Sequence, residues 1–210
     1  MIKMLLADDH AIIRFGLKQI ITEAFSNVSI REATTFDEAI GIAGREPIDL
    51  LILDINLPGG NSIQMLDSIR LRQPKIKILI FSALEEQLYA INYLQAGADG
   101  FLQKSSEESE VKKAIETILG NEKYLSTSTR QRLLDKAGDN RHQNPFDSLS
   151  AREVDIMNQL IKGTPVAKIA EILNLHISTV STYKTRLYTK LGVTNIIELL
   201  EKIKPHNFQA

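Results

Sequence analysis

The stretch that most constrains this chain is Asp49-Leu-Leu-Ile-Leu-Asp54-Ile-Asn-Leu-Pro-Gly-Gly60. Leu50 to Leu53 form an unbroken apolar run, too short for a buried helix. Such a run suits a central strand of a parallel sheet covered on both faces. Asp54 places a carboxylate where the run ends, and Pro58-Gly59-Gly60 turns the chain. In open parallel sheets, ligands and chemistry collect outside the carboxyl ends of the strands. Three other strand-like runs end in the same way: Lys3–Ala7 runs into Asp8-Asp9, Ile76–Phe81 into Ser82, and Gly100–Gln103 into Lys104. Carboxylates, a hydroxyl and an ammonium therefore converge on one edge, and the set reads as a site that accepts a phosphoryl group on Asp54.

Around that strand, residues 1–120 alternate strand and helix. Strands are expected at Ile2–Ala7, Val28–Ala33, Leu50–Leu53, Ile76–Phe81 and Gly100–Gln103. Amphipathic stretches lie near His10–Ala24, Phe36–Gly44, Ile63–Arg72 and Glu86–Gln95. A last helix carries Val111, Ala114, Ile115, Ile118 and Leu119 at helical spacing. Ser105 with Glu108 is its expected capping box, and Gly120 closes it. Five βα units in a row imply an α/β fold, a doubly wound five-stranded parallel sheet with helices on both faces.

From Asn121 to Asp147 the pattern breaks. A short helix is expected around Thr129–Lys136, then a polar, turn-rich stretch from Ala137 to Pro145 that fits an exposed linker. The remainder is helical: Ala151–Ile161, Val166–Leu173, Ser178–Leu191 and Ile196–Ile203. Ser150 with Glu153 forms a capping-box pattern for the first of these, and Gly163 stops it. The link Asn174-Leu-His-Ile177 is short enough for a helix-turn-helix. The expected organisation is a phosphoacceptor domain over 1–121, a linker over 122–146, and a small all-α, four-helix domain over 147–210.

Charge divides along the same line. Residues 1–120 hold 12 Lys+Arg against 17 Asp+Glu, whereas residues 148–206 hold 8 against 5. Nucleic acid, if bound, should meet the back of the chain. With no cysteine, disulfides and thiolate metal sites are excluded. The opening Met1-Ile-Lys-Met-Leu-Leu-Ala-Asp-Asp-His10 is a poor signal peptide. No apolar run approaches the roughly 20 residues needed to span a bilayer. A soluble, cytoplasmic protein without a membrane partner is expected.

Phosphoryl transfer needs an acceptor oxygen, a divalent cation, and donors for the equatorial oxygens of the transferred group. Mg²⁺ prefers hard oxygen ligands, often one or two carboxylates with water and substrate phosphate. Asp9 and Asp54 suit that role, with Asp8 close by and a loop carbonyl at Asn56 completing the shell. Lys104 can pair with phosphoryl oxygens, and Ser82 can donate a hydrogen bond to one. Taken singly, Asp8, Asp9 or Ser82 would be a helix cap and Lys104 a solvated lysine. Their conjunction at the ends of four strands carries the argument. His10 falls at the start of the first helix, not in a catalytic role.

Asp8-Asp9-His10, Asp54 with Leu57-Pro58, Ser82-Ala83 and Gly97-Ala-Asp-Gly-Phe-Leu-Gln-Lys104 resemble the motifs of response-regulator receivers, which have a flavodoxin-like fold. The resemblance implies that Asp54 takes phosphate from a sensor histidine kinase and that Asp8 and Asp9 hold Mg²⁺. It also implies that Ser82 and Lys104 sense the phosphoryl group and that Phe101 is the switching aromatic. Ser62 and Ser105 stand where many receivers have glycine and proline, which touches the backbone path but no reacting atom.

Leu149–Val154, Ile169–Leu173, Thr179-Val180, Lys190–Val193 and the final helix resemble the LuxR-type helix-turn-helix. A receiver with that output is similar to the NarL/FixJ class. On the helix from Ser178, Val180, Leu187 and Leu191 share one face and should pack inward. Thr179, Ser181, Thr182, Lys184, Thr185, Arg186 and Lys190 are the candidates for DNA, with Tyr188 beside them. Ser181, Thr182 and Thr185 are the base-facing candidates, and Lys184, Arg186 and Lys190 the ones that reach phosphates. Ser181 and Tyr183 stand where lysine and histidine are common in the family, which alters target preference.

The expected function is a two-component transcription regulator that binds double-stranded promoter DNA as a homodimer on phosphorylation. Its only catalysis would be slow autodephosphorylation. Two other classes remain open on sequence: a phospho-gated protein-interaction module, and an aspartyl-phosphate phosphatase. The phosphatase is disfavoured because Asn56 stands where such enzymes place an acid two residues after the nucleophile.

Overall fold

A computed structural model describes residues 1–60, 63–84, 86–127, 129–131, 145–173 and 175–203. The chain divides into two compact units, residues 1–135 and 136–210. In the first, β1 (Ile2–Ala7), α1 (Ala11–Ala24), β2 (Val28–Ala33), α2 (Phe36–Arg45) and β3 (Leu50–Leu53) are followed by α3 (Gln64–Arg72), β4 (Lys77–Ser82), α4 (Glu86–Gln95), β5 (Gly100–Gln103) and α5 (Glu108–Leu119). The strands form one parallel sheet in the order β2-β1-β3-β4-β5. This is the doubly wound sheet that the alternating pattern predicts.

The apolar run of β3 is buried along its whole length, as a central strand demands. Alternate residues serve opposite faces. Leu50 and Ile52 pack with Met4, Leu6, Leu79 and Leu102 in a core closed by Leu17 and Ile21 of α1 and Ile115 and Ile118 of α5. Leu51, Leu53, Leu5 and Ile80, the alternate set, are buried as well. The strands are added outward in one direction from β1 to β2 and in the other from β3 to β5, so a crevice opens beyond the carboxyl ends of β1 and β3. The register pairs Ala7 with Leu53, which brings Asp8 and Asp54 side by side.

Two local expectations fail. Ser82 lies inside β4 as its last residue. Ser105 does not cap α5: its N-cap is Glu107, without a side-chain cap bond. A turn after Lys104, closed by Ser106 N–H donating to Gln103 O (3.0 Å), uses up the residues that the capping pattern needed. The segment directly after α5 packs on the sheet. Tyr124 is buried and forms a parallel bridge with Gly100 of β5. Most of the expected helix Thr129–Lys136 and of the turn-rich stretch to Pro145 lies outside the described residues.

The second unit opens with a 3₁₀ turn (Pro145–Ser148), followed by α6 (Ala151–Ile161), α7 (Val166–Ile172), α8 (Ile177–Leu191) and α9 (Ile196–Ile203). The capping box at α6 forms as expected, with Ser150 and Glu153 bonding reciprocally. Gly192 takes the left-handed conformation (φ 64°) that ends α8, a position favouring glycine. Val180, Leu187 and Leu191 are buried, as their shared face predicts. No described helix is long and apolar enough to cross a membrane.

Candidate functional site

β1, β3, β4 and β5 each deliver one part of the site. Asp8 follows β1, Asp54 follows β3, Ser82 ends β4, and Lys104 follows β5. Asp8, Asp54 and Ser82 are buried, whereas Asp9 is exposed. The loop after β5 is pinned to β4 by Lys104 N–H donating to Ser82 O at 2.8 Å. That bond aims the lysine side chain across the crevice. Its Nζ donates to Asp54 Oδ2 at 2.9 Å and lies 2.7 Å from Asp8 Oδ2.

The two carboxylates are held differently. Asp54 Oδ1 accepts the Asn56 N–H at 3.2 Å, so the loop after β3 folds back onto its own acid. Asp8 Oδ1 accepts the His10 N–H at 2.9 Å. The contact of Asp8 Oδ2 with Lys104 is a close ion pair that lacks hydrogen-bond geometry. Among the described residues, Asp8 Oδ2 is the buried side-chain atom left without a hydrogen bond. Burial pushes the Asp54 carboxyl above its ordinary value, against the pull of Lys104. Burial also opposes the charge on Lys104, but the attraction of the Asp54 and Asp8 carboxylates prevails and raises it above the ordinary lysine value.

Two buried acids side by side, one with an oxygen held by an ion pair and no hydrogen bond, fit a hard cation. Ligand atoms of Asp8, Asp9, His10 and Asp54 lie within 4.8 Å of one another. The oxygen donors suit Mg²⁺, and the imidazole does not add to that preference. His10 Nδ1 is 2.7 Å from Asp9 Oδ1, and His10 occupies the N-cap of α1, where the sequence puts it. Ser82 Oγ accepts from Leu84 N–H at 3.2 Å, which leaves its own proton for a ligand oxygen. Phe101 is fully buried, with its ring centroid 6.1 Å from that of Tyr93. The expected switching aromatic therefore lies inside.

Arg14 was not singled out by sequence. Its guanidinium donates to the Asp8 carbonyl at 2.7 Å and to Glu32 at 3.0 Å, tying the acid loop to β2. Its only signal is its position one turn after His10 on α1. Tyr89 and Tyr93, likewise unremarked, are buried on α4.

In the second unit, Thr179, Ser181, Thr182, Lys184, Thr185 and Arg186 share one helix, α8, and Ser181, Thr182, Thr185 and Arg186 are exposed. Thr182 and Thr185 donate their hydroxyl protons to the carbonyls of Ser178 and Ser181, at 2.9 and 3.0 Å. Lys184 Nζ stands 5.4 Å from the Tyr188 ring centre, and Arg186 lies 5.9 Å from that of Tyr183. Lys190, a candidate for a phosphate contact, has partners within the unit. Its ammonium donates to Glu153 Oε2 at 2.7 Å and to Ser148 O at 3.0 Å, so it is committed inside the unit. Burial works against the Glu153 charge, but Lys190 and Ser150 hold that carboxyl below its ordinary value.

A doubly wound sheet with paired buried acids, a hydroxyl and a lysine at the ends of four strands is the arrangement of a phosphoacceptor domain. Residues 4–116 match the response regulator receiver domain, and residues 147–203 match the luxR family of bacterial regulatory proteins. The chain belongs to the response-regulator family, as a receiver joined to a luxR-family domain. It is 30% identical over 200 residues to the response regulator UvrY of Escherichia coli (strain K12), covering 95% of this chain and 92% of that one. It is 33% identical over 199 residues to the transcriptional activator protein ExaE of Pseudomonas putida, covering 94% and 93%. Among solved structures, it resembles RcsB from Salmonella enterica serovar Typhimurium bound to promoter rprA in the presence of phosphomimetic BeF3⁻. That likeness has a TM-score of 0.74 at 25% identity over 97% of this chain and 98% of that one.

Proposed function

We propose that this protein is a transcription regulator switched by phosphorylation of Asp54 from a sensor histidine kinase. The observation that carries the proposal is Lys104 Nζ poised at 2.9 Å from Asp54 and 2.7 Å from Asp8. An Asp54 oxygen attacks the phosphorus of the phosphohistidine in line, and the phosphorus–nitrogen bond breaks as the imidazole leaves. Mg²⁺ bound by Asp8, Asp9, Asp54 and the Asn56 carbonyl would neutralise charge on the transferred group. The phosphoryl group adds up to about two negative charges at Asp54. Lys104 then exchanges its carboxylate partner for a phosphoryl oxygen, and Ser82 donates its free proton to another. The Asn56 side chain, two residues after the acceptor, is an amide that cannot transfer a proton, so hydrolysis of the acyl phosphate is slow and the protein is not a turnover phosphatase.

The output is double-stranded promoter DNA, bound by a homodimer formed on phosphorylation. The N-terminal half of α8 lies in the major groove, with Ser181, Thr182 and Thr185 toward the bases. Thr179, Lys184 and Arg186 meet the backbone. Lys190 is left out of that set because Glu153 and Ser148 hold it. RcsB, a structural relative, is described bound to promoter DNA. A cytoplasmic location and a kinase partner follow from the same reading.

The test uses a small phosphodonor with labelled phosphate. The wild type should take label in a Mg²⁺-dependent manner, and Asp54→Asn should take none. Label at wild-type level on Asp54→Asn would remove Asp54 from the role of acceptor.

A further inference from the structure

After α5 the chain does not leave the receiver. Asn121 adopts a left-handed conformation (φ 67°), and Glu122 N–H closes back on Thr117 O at 3.1 Å. Tyr124 then lies alongside β5. Tyr124 N–H donates to Asp99 O at 2.9 Å, and Phe101 N–H reaches Tyr124 O at 3.4 Å. The Tyr124 side chain is buried in the same core as Phe81 and Leu102. Gly100 is what permits this approach: a Cβ there would meet Tyr124 Cβ at 3.1 Å and Tyr124 O at 3.2 Å.

The same segment is fastened to both ends of α4. Lys123 Nζ donates to Leu94 O in the last turn, at 3.2 Å. Ser126 N–H donates to Oε1 of Glu86, the first residue of α4, at 2.9 Å. Glu86 is itself buried. Just beyond, Ser126 Oγ accepts Thr129 N–H at 3.3 Å, and Arg130 N–H returns to Ser126 O at 2.9 Å, so Ser126 caps a helical turn.

We propose that Lys123–Ser126 is a strap through which the state of Asp54 is passed to the chain leading to the second unit, with Glu86 and Lys123 as its positioning residues. The inference rests on the function proposed above. Two routes from the site end on the strap. Lys104 continues β5, whose Phe101 and Gly100 touch Tyr124. Ser82 precedes Glu86 by four residues, and its hydroxyl already holds the intervening loop through Leu84 N–H. When Lys104 and Ser82 turn to a phosphoryl group, β5 and the start of α4 move, and both anchor the strap. Loosening at Ser126 uncaps the helical turn after it.

Amide hydrogen exchange of the full-length protein with Mg²⁺, with and without beryllofluoride, tests this. Beryllofluoride should change exchange in α4 and β5 of the wild type, and should change Lys123–Ser126 with them. Glu86→Ala and Lys123→Ala should each leave labelling of Asp54 by a small phosphodonor intact. In both variants the strap should exchange about tenfold faster without beryllofluoride, as loss of a hydrogen bond to a charged group predicts. Stimulation of DNA binding should fall with it. Glu86→Gln, whose amide oxygen still accepts from Ser126, should restore coupling. Lys123 is exposed, so Lys123→Ala keeps the test decisive if Glu86→Ala does not fold. A wild-type strap that stays unchanged while α4 and β5 respond would overturn the inference and leave the function standing. No response anywhere, or an unaltered response in Asp54→Asn, would overturn both.

Discussion

Lys104 stands between two buried carboxylates, so its removal turns an ion pair on each side into one anion facing another. Lys104→Ala should lower the stability of the metal-free protein by about 2 kcal/mol, since its contacts are partly repaid by relief of lysine burial. Label should still enter Asp54 from a small phosphodonor, because the acceptor oxygen remains, while phosphate-stimulated DNA binding disappears. Gel-shift titrations of labelled Lys104→Ala would check this, and normal stimulation would take the lysine out of the switch. Thr182 raises a different question. With its proton given to Ser178 O, the hydroxyl keeps lone pairs that can accept from the amino group of adenine or cytosine. Thr182→Ala should cost on the order of 1 kcal/mol at one or two base pairs of a half-site and nothing on random duplex. Equal weakening on both duplexes would withdraw it from base reading.

At the scale of elements, a polar tie links α8 to α6. Lys190 near the end of α8 bonds Glu153 in the first turn of α6, and the same carboxylate caps α6 through Ser150. The folded-state value of Glu153 lies below its ordinary 4.5, whereas unfolding releases it to that value. Its stabilisation is therefore fully present above about pH 4.5 and is lost as pH falls through the lowered value. Glu153→Gln should destabilise the second unit at neutral pH by about 1–2 kcal/mol, with the difference from wild type vanishing in acid. Thermal melts across pH would read this directly, and a difference independent of pH would refute the linkage. Lys190→Ala should lower the melting temperature similarly while leaving the salt slope of DNA binding unchanged. A slope reduced by about one would return Lys190 to the phosphate contacts.

The whole molecule consists of two units with separate cores, so unfolding need not be a single transition. Among the described residues, the acid cluster lies in the first. Asp54, raised above its ordinary value by burial, weakens the folded state as pH rises from that ordinary value through the raised one. Bound Mg²⁺ should reverse this penalty. Calorimetry should show two transitions, with Mg²⁺ at tenfold excess over its Kd stabilising one by about 1.4 kcal/mol. Asp9→Ala should abolish that shift. One transition moving as a unit, or the same shift in Asp9→Ala, would contradict the assignment.

The sheet was legible because its cause is local. An unbroken run such as Leu50–Leu53 can be satisfied only between two layers, and acids at strand ends must share an edge once the strands are parallel. The inward face of α8 was legible for the same reason, since periodicity alone sets which residues face the core. What needed tertiary structure were pairings between distant residues. Nothing near Lys190 in sequence marks Glu153, 37 residues earlier, as its partner. Nothing in Tyr124 or Ser126 announces Gly100 and Glu86, so a buried strap reads as the start of a linker. Ser105 shows the reverse case, a sound local capping signal overridden by the turn that keeps Lys104 aimed at Asp54. Local chemistry determined the elements and the edge where the reactive groups meet. The fold alone decided which charges were already spent on one another, because that depends on which surfaces close together.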